Sequence, residues 1–233
     1  MNRTGARGVF VTGTDTGVGK TLITVALIEA LKREGFSVAG MKPVAAGLDS
    51  AGENEDVARI LQAANVSAPI DVVSPYRFHP FTAPHIAARM AGVQMKLGVI
   101  TDAYKLLAGK ADWVVVEGAG GFQVPLDDAI GMDVIPVHLR LPVVLVVGMR
   151  LGCLNHALLT AEAIRVRGLR LAGWVANSID PSMAAFDENL ETLKSRFVVP
   201  CLGVIPWLGN HDSRSSVSML LSVRKLVNQN TQK

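Results

Sequence analysis

Three segments of this chain carry residue types and spacings suited to chemistry on a phosphorylated ligand: GTDTGVGKT from Gly13 to Thr21, Lys42 within MKPVAAG, and Glu117 within VVEGAGG. The first follows the apolar, β-prone run Val9-Phe10-Val11. It precedes the amphipathic pattern Leu22, Ile23, Val25, Ala26, Leu27 and Leu31, which is the strand, loop and helix order of a phosphate-binding P-loop. In that setting the backbone N–H groups around Gly17 to Lys20 point into one concavity at a helix N-terminus, where unpaired amides and the helix dipole favour an anion. A nucleoside triphosphate is the expected ligand, with Lys20 reaching the β- and γ-phosphates and Thr21 holding Mg²⁺. Five residues separate Gly13 from Gly19, one more than in the common motif, which leaves the register of the loop open.

Lys42 leaves an apolar run into a loop bounded by Pro43 and Gly47. A second cation there suits a phosphoryl group in transfer, whose charge spreads over its equatorial oxygens; the competing reading is a solvated lysine at a strand end. Val114-Val115-Val116 runs directly into Glu117 and then Gly118, Ala119, Gly120 and Gly121, placing a carboxylate beside glycines that permit close approach of a ligand. Glu117 is the natural Mg²⁺ partner of Thr21. Asp56 is a further candidate, with Asp49, Glu53 and Glu55 competing by proximity and a helix N-cap as its alternative role. Leu151-Gly152-Cys153-Leu154-Asn155-His156 opens a helix whose first amides could receive a carboxylate. Cys153, His85 and His156 have no companions at ligand spacing, so Cys153 reads as a packed thiol and the histidines as hydrogen-bonding neighbours.

These residues need a scaffold that gathers strand ends on one edge. Continuous β-branched runs at 8–12, 38–42, 113–117, 143–148, 171–177 and 201–205 alternate with helical patterns at 20–33, 56–64, 84–91, 96–108, 155–167 and 183–196, and a weaker one at 217–227. Strands that are apolar at consecutive positions are buried on both faces, so a mostly parallel α/β sheet with helices on both sides is expected, with ligands beyond the carboxyl ends of the strands. The 233 residues, 49% hydrophobic and 18% charged, suit one P-loop α/β domain over 1–233 with a C-terminal helical tail at about 215–229. The net charge of +3 is dispersed, which argues against nucleic-acid or membrane partners. Two cysteines, no apolar run of membrane length and no secretion signal in MNRTGARG make a cytoplasmic location the expectation.

In their order along the chain, GTDTGVGKT, KPVAAG, NEDV, PHIAA, VVEGAGG, LPVVLVVG, LGCLNHALLT, LAGWVAN and GVIPWL resemble the dethiobiotin synthetase family over most of the length, and the five-residue P-loop spacing is that family's own. The resemblance implies ATP- and Mg²⁺-dependent ring closure of 7,8-diaminopelargonic acid with CO₂ through a carbamate and a carbamic-phosphoric anhydride. It implies catalytic roles for Lys20, Lys42 and Thr16, and a metal set of Thr21, Asp56 and Glu117. The nucleotide would be held by Gly17, Val18, Gly19, Lys20, Thr21 and Leu22, by Asp56 and Glu117 to Gly120, and on the adenine side by Asn177, Ser178, Pro206, Trp207 and Leu208. The substrate would meet Ala46 and, across a homodimer interface, Leu151, Gly152, Cys153, Leu154 and Asn155. Some members carry an acidic residue at Gly17 and a serine at Ala46, and loss of that hydroxyl bears on substrate placement. P-loop switch ATPases of the partitioning kind usually have a second lysine at the position of Asp15 here, which disfavours that class.

Overall fold

The computed structural model describes residues 7–209 and 217–228; residues 1–6, 210–216 and 229–233, including both ends of the expected 215–229 tail and most of MNRTGARG, lie outside the described residues. Six strands form one parallel sheet: β1 (Arg7–Gly13), β2 (Val38–Met41), β5 (Trp113–Glu117), β6 (Val143–Met149), β7 (Leu171–Ser178) and β8 (Cys201–Ile205), in the order β2-β5-β1-β6-β7-β8. A smaller parallel pair, β3 (Val44–Ala46) with β4 (Tyr76–Phe78), stands apart from it.

Why the strands are apolar at consecutive positions follows from where alternate residues go. Val9 and Val11 pack with α1 (Lys20–Arg33), and Phe10 between them points to the other face. Val115 joins the α1 side, whereas Val114 and Val116 join a cluster built with α3 (Ile70–Val73), α4 (Pro84–Met90), α5 (Leu97–Ala108) and α6 (Val134–Leu139). In β6, Val144 and Val146 turn to the α1 face, and Leu145 and Val147 turn to α7 (Cys153–Val166) and α8 (Phe186–Arg196). The predicted mostly parallel sheet, covered on both faces, is therefore the observed one.

Departures from the sequence reading are local. The expected helix at 56–64 is α2 (Glu55–Ala63), because Asn54 and not Asp56 is its N-cap: the Asn54 side chain accepts from the Val57 N–H at 3.2 Å. The helix expected from 155 begins at Cys153, after Gly152 in the left-handed region. The expected continuous helix at 217–227 is divided into a 3-10 turn, Ser218–Leu220, and a helix, Arg224–Asn228. Between them Ser222 donates its N–H to the Leu202 carbonyl at 2.7 Å, so the chain is tied back toward β8. The pair β3–β4 escapes a pattern reading because three residues give too little alternation, and α6 does so because it is six residues long with Pro136 inside.

Candidate active site

Strand parity brings the first cluster together. Gly40 faces Ile60 and Ile28, so Lys42, two residues on, continues on the face covered by α1 and α2. Trp113 and Val115 lie on that same face, and Glu117 follows them. β2 pairs with β5 through Met41 opposite Val116, which places Lys42 and Glu117 next to each other at the strand tips. Lys42 Nζ donates to Glu117 Oε1 at 2.7 Å and to Asp56 Oδ2 at 2.5 Å. Thr21 Oγ1, in the first turn of α1, donates to the same Glu117 Oε1 at 2.8 Å. Lys42 is 6% exposed and Glu117 1% exposed, which excludes the reading of a solvated lysine.

Electrostatics follow from this packing. Burial works against the charge on Lys42, but Glu117 and then Asp56 oppose it and hold the ammonium above its ordinary pKa. Burial also pushes against the Asp56 carboxylate; the Lys42 charge and hydrogen bond, with Thr21 and Arg59, keep its pKa below 3.8. Lys20 is different, because desolvation prevails over the opposing pull of Glu117 and brings it down to about 8. Its Nζ donates to the Asp15 carbonyl at 2.8 Å, across the mouth of the loop.

The loop has the shape its glycines require. Gly19, at φ 88, is the left-handed residue before α1, and its α-carbon lies against the Asn177 side chain. Asn177, 5% exposed at the end of β7, donates Nδ2 to the Val18 carbonyl at 2.8 Å and so pins the loop to a strand two places from β1 in the sheet. Asp15 is paired with Arg150 at 2.6 Å, linking the loop to the residue that follows β6. Thr16 is exposed at the loop crest, where a Cβ on Gly120 would stand 3.6 Å from its hydroxyl.

A cavity of about 340 Å³ adjoins this loop, lined by Gly17, Gly19 and Leu22 together with Asn177, Ser178, Pro206, Trp207 and Leu208. Residues far apart in sequence and named for the phosphate and base ends of a nucleotide thus share one wall system. Arg59, Ile179 and Gly209 also line it and were not singled out from sequence. Arg59 follows Asp56 by one helical turn, the spacing by which it could have been noticed.

Other candidates stand apart from that cavity. Ala46 is the last residue of β3, opposite Phe78, and its carbonyl accepts from Asn54 Nδ2 at 3.2 Å. Leu151 to Asn155 follow β6 at the start of α7; Leu151 is 92% exposed. Among the described residues they make no hydrogen bond to Lys20, Lys42 or Ala46. The Cys153 N–H donates to the Arg150 carbonyl at 3.0 Å, and the Cys153 residue is buried. Gly118 is held by its N–H to the Val11 carbonyl at 3.0 Å, and Ala119 packs at the edge of the core beside it.

Among the described residues no group of three or more His, Cys, Asp or Glu is arranged to hold a metal. The donor set that does exist is one hydroxyl and two carboxylates, all hard oxygens, and Glu117 Oε2 is buried without a hydrogen-bond partner. An unpartnered carboxylate oxygen beside Thr21 and Asp56 fits Mg²⁺, which binds few protein oxygens and retains water. No helix among the described residues is long and apolar enough to cross a membrane.

An AAA-domain family profile matches residues 7–215. The chain is 52% identical over 214 residues to the ATP-dependent dethiobiotin synthetase BioD of Nitrosospira multiformis, covering 92% of this chain and 94% of that one. It is 52% identical over 212 residues to the protein of the same name from Ralstonia nicotianae, covering 90% and 93%. Among solved structures, the cell division ATPase MinD of Pyrococcus furiosus aligns with a TM-score of 0.59 at 18% identity, covering 96% of this chain and 99% of that one. Cobyrinic acid a,c-diamide synthase from Mycobacterium smegmatis, solved with an ATP analogue and magnesium, aligns at 0.57 and 16%, covering 97% and 96%. At such identities the two structures establish the fold alone.

Proposed function

The chain belongs to the ATP-dependent dethiobiotin synthetases, ligases that form carbon–nitrogen bonds, and from that membership we propose that it closes the ureido ring of dethiobiotin from 7,8-diaminopelargonic acid, CO₂ and ATP. The observation that carries this reading is the Lys42, Glu117, Asp56 and Thr21 cluster at the end of a phosphate-binding loop.

In the proposed sequence one amine nitrogen attacks CO₂ and loses a proton, giving a carbamate. A carbamate oxygen attacks the γ-phosphorus, and the bond to ADP breaks. The second amine then attacks the carbonyl carbon of the mixed anhydride, phosphate leaves, and the five-membered ring is closed. The protein's part is alignment and charge neutralisation. Lys20 and Lys42 would neutralise the charge of the transferring phosphoryl group, and the backbone amides of Gly17 to Leu22 would hold the phosphates aligned for in-line displacement. Thr16, exposed on the loop crest, would donate a hydrogen bond to the reacting groups. Thr21, Asp56 and Glu117 would hold Mg²⁺, which when bound supplies positive charge to the phosphate oxygens. Asn177, Ser178 and Pro206 to Leu208 would receive the base, with the ring of Trp207 half exposed at the cavity rim.

We further propose a cytoplasmic homodimer in which Leu151 to Asn155 serve the partner's substrate. Leu151, two residues before α7 and 92% exposed, and Leu159, in the middle of α7 and 63% exposed, support an apolar contact there. Sedimentation velocity of wild type and Leu151→Glu tests it: a dimer converted to a folded monomer is the expected result, and an unchanged sedimentation coefficient would remove this face from the contact.

The deciding experiment combines purified protein with MgATP and bicarbonate and follows phosphate release with and without 7,8-diaminopelargonic acid, with mass detection of the product. Release that requires the diamine and equals the ring-closed product is expected. Hydrolysis indifferent to the diamine, or no release, would overturn the reading.

A further inference from the structure

Arg59 is the one charged side chain among the described residues that line the 340 Å³ cavity beside the phosphate-binding loop. The remaining walls are glycine backbone, apolar side chains, an amide and a hydroxyl. Its terminal Nη2 is buried and has no hydrogen-bond partner among the described residues. The nearby carboxylate that could neutralise it, Asp56, is already committed to Lys42 at 2.5 Å. A guanidinium nitrogen withdrawn from water and without a partner carries a desolvation cost that a bound anion would offset.

The position of Arg59 selects the anion. It lies three residues after Asp56 on α2, about 4.5 Å along the helix axis, so it is displaced from the Lys42, Glu117 and Asp56 cluster. It lines the cavity together with Leu22, in the first turn of α1, and with Asn177 and Trp207. That is the stretch between the end that receives the γ-phosphate and the end that receives the base. The planar, always-charged fork of arginine suits two oxygens of one phosphate. Resting on the nucleotide reading of this site, we propose that Arg59 is a nucleotide-binding residue that pairs with the phosphate nearest the ribose.

Calorimetric titration of ADP into the full-length wild-type protein, Arg59→Met and Arg59→Lys tests this. A charge-assisted hydrogen bond of the usual strength corresponds to about tenfold to a hundredfold in affinity. Arg59→Met should therefore bind MgADP at least about tenfold more weakly, and Arg59→Lys, which retains charge but not the fork, should fall between. The unfolding temperatures of the nucleotide-free variants should not fall below that of wild type, which separates a binding loss from a folding loss. The same factor should persist with ADP in EDTA and with 2′,3′-dideoxy-ADP. A penalty confined to magnesium-containing solution would mean that Arg59 acts through Asp56, and one lost with the dideoxynucleotide would assign it to the ribose hydroxyls. Either would overturn the proposal. Wild-type affinity in both variants would overturn it alone, whereas failure of wild type to bind MgADP would bring down the nucleotide reading as well.

Discussion

Lys42 and Glu117 occupy the positions that immediately follow the paired residues Met41 and Val116, and their side chains meet at 2.7 Å within the protein. The ammonium therefore has two tasks. In the proposed reaction it would present positive charge to a phosphoryl group, and in the folded protein it neutralises a carboxylate whose side chain is wholly shielded from solvent. Lys42→Ala should lower turnover by about 10²- to 10³-fold, the usual cost of a lost electrostatic donor in a reacting site. It should also lower stability by about 3–5 kcal/mol, because a buried charge is left unpaired. Adding Glu117→Gln to that variant should recover much of the stability and none of the activity. Denaturant unfolding and phosphate-release rates check both, and full turnover by Lys42→Ala would remove the lysine from the mechanism.

Asp56 offers a more selective probe, since it is partly exposed and caps nothing: Asn54 does that work. Asp56→Asn should raise the Mg²⁺ concentration for half-maximal activity on the order of tenfold, as loss of a group supporting a metal does. An unchanged magnesium profile would return the role to Glu53 or Glu55. The pH effect has a definite sign. Because its pKa is held below the ordinary carboxylate value in the folded protein, Asp56 contributes stability above that ordinary value and loses it as pH falls through the lowered one. The acid limb of the wild-type stability curve should therefore flatten in Asp56→Asn.

How much of this could be read from the chain depends on the range of the interaction that fixes each residue. The P-loop was legible because strand, loop and helix are contiguous, and Glu117 because an uninterrupted valine run ends on it. The sheet was legible because consecutive apolar residues have only one explanation when both faces are covered. Asn177 had no motif of its own and was reached through family resemblance; its tie to Val18 spans 159 residues of chain. The pairing of Asp15 with Arg150 likewise joins the ends of two strands that become neighbours only in the folded sheet. In the chain Arg59 is simply one polar position on the amphipathic α2. Only the packing of α2 on α1 turns it into the cavity.

Gly19 is held at φ 88 with Asn177 against its α-carbon, so its substitution combines two penalties. A side chain in the left-handed region costs roughly 1–2 kcal/mol, and the added methyl must displace the amide that fastens the loop. Gly19→Ala should lower the unfolding temperature modestly and weaken MgADP binding severely. Asn177→Ala should weaken binding less, because the loop glycine keeps its conformation. Equal binding by wild type and Gly19→Ala in calorimetry would mean that the loop does not need this geometry to hold phosphate.

Lys20, brought down to about 8 by burial, should tie nucleotide binding at the proposed site to proton uptake. In the nucleotide-free protein its ammonium is desolvated and shares Asp15's carbonyl, so near pH 8.5 a substantial fraction is neutral. A polyphosphate favours the ammonium and raises the pKa, and the protein must take up a proton when it binds. Affinity for ADP should accordingly fall as pH rises above about 8 and level off once binding no longer stabilises the charged form. For folding the sign is opposite: between about 8 and the ordinary lysine value of 10.5 the unfolded chain binds more protons, so this group's contribution to stability increases with pH. Titrating MgADP at pH 8.5 in buffers of different ionisation enthalpy measures the uptake directly. A binding enthalpy independent of buffer would show that Lys20 is already fully charged before the nucleotide arrives.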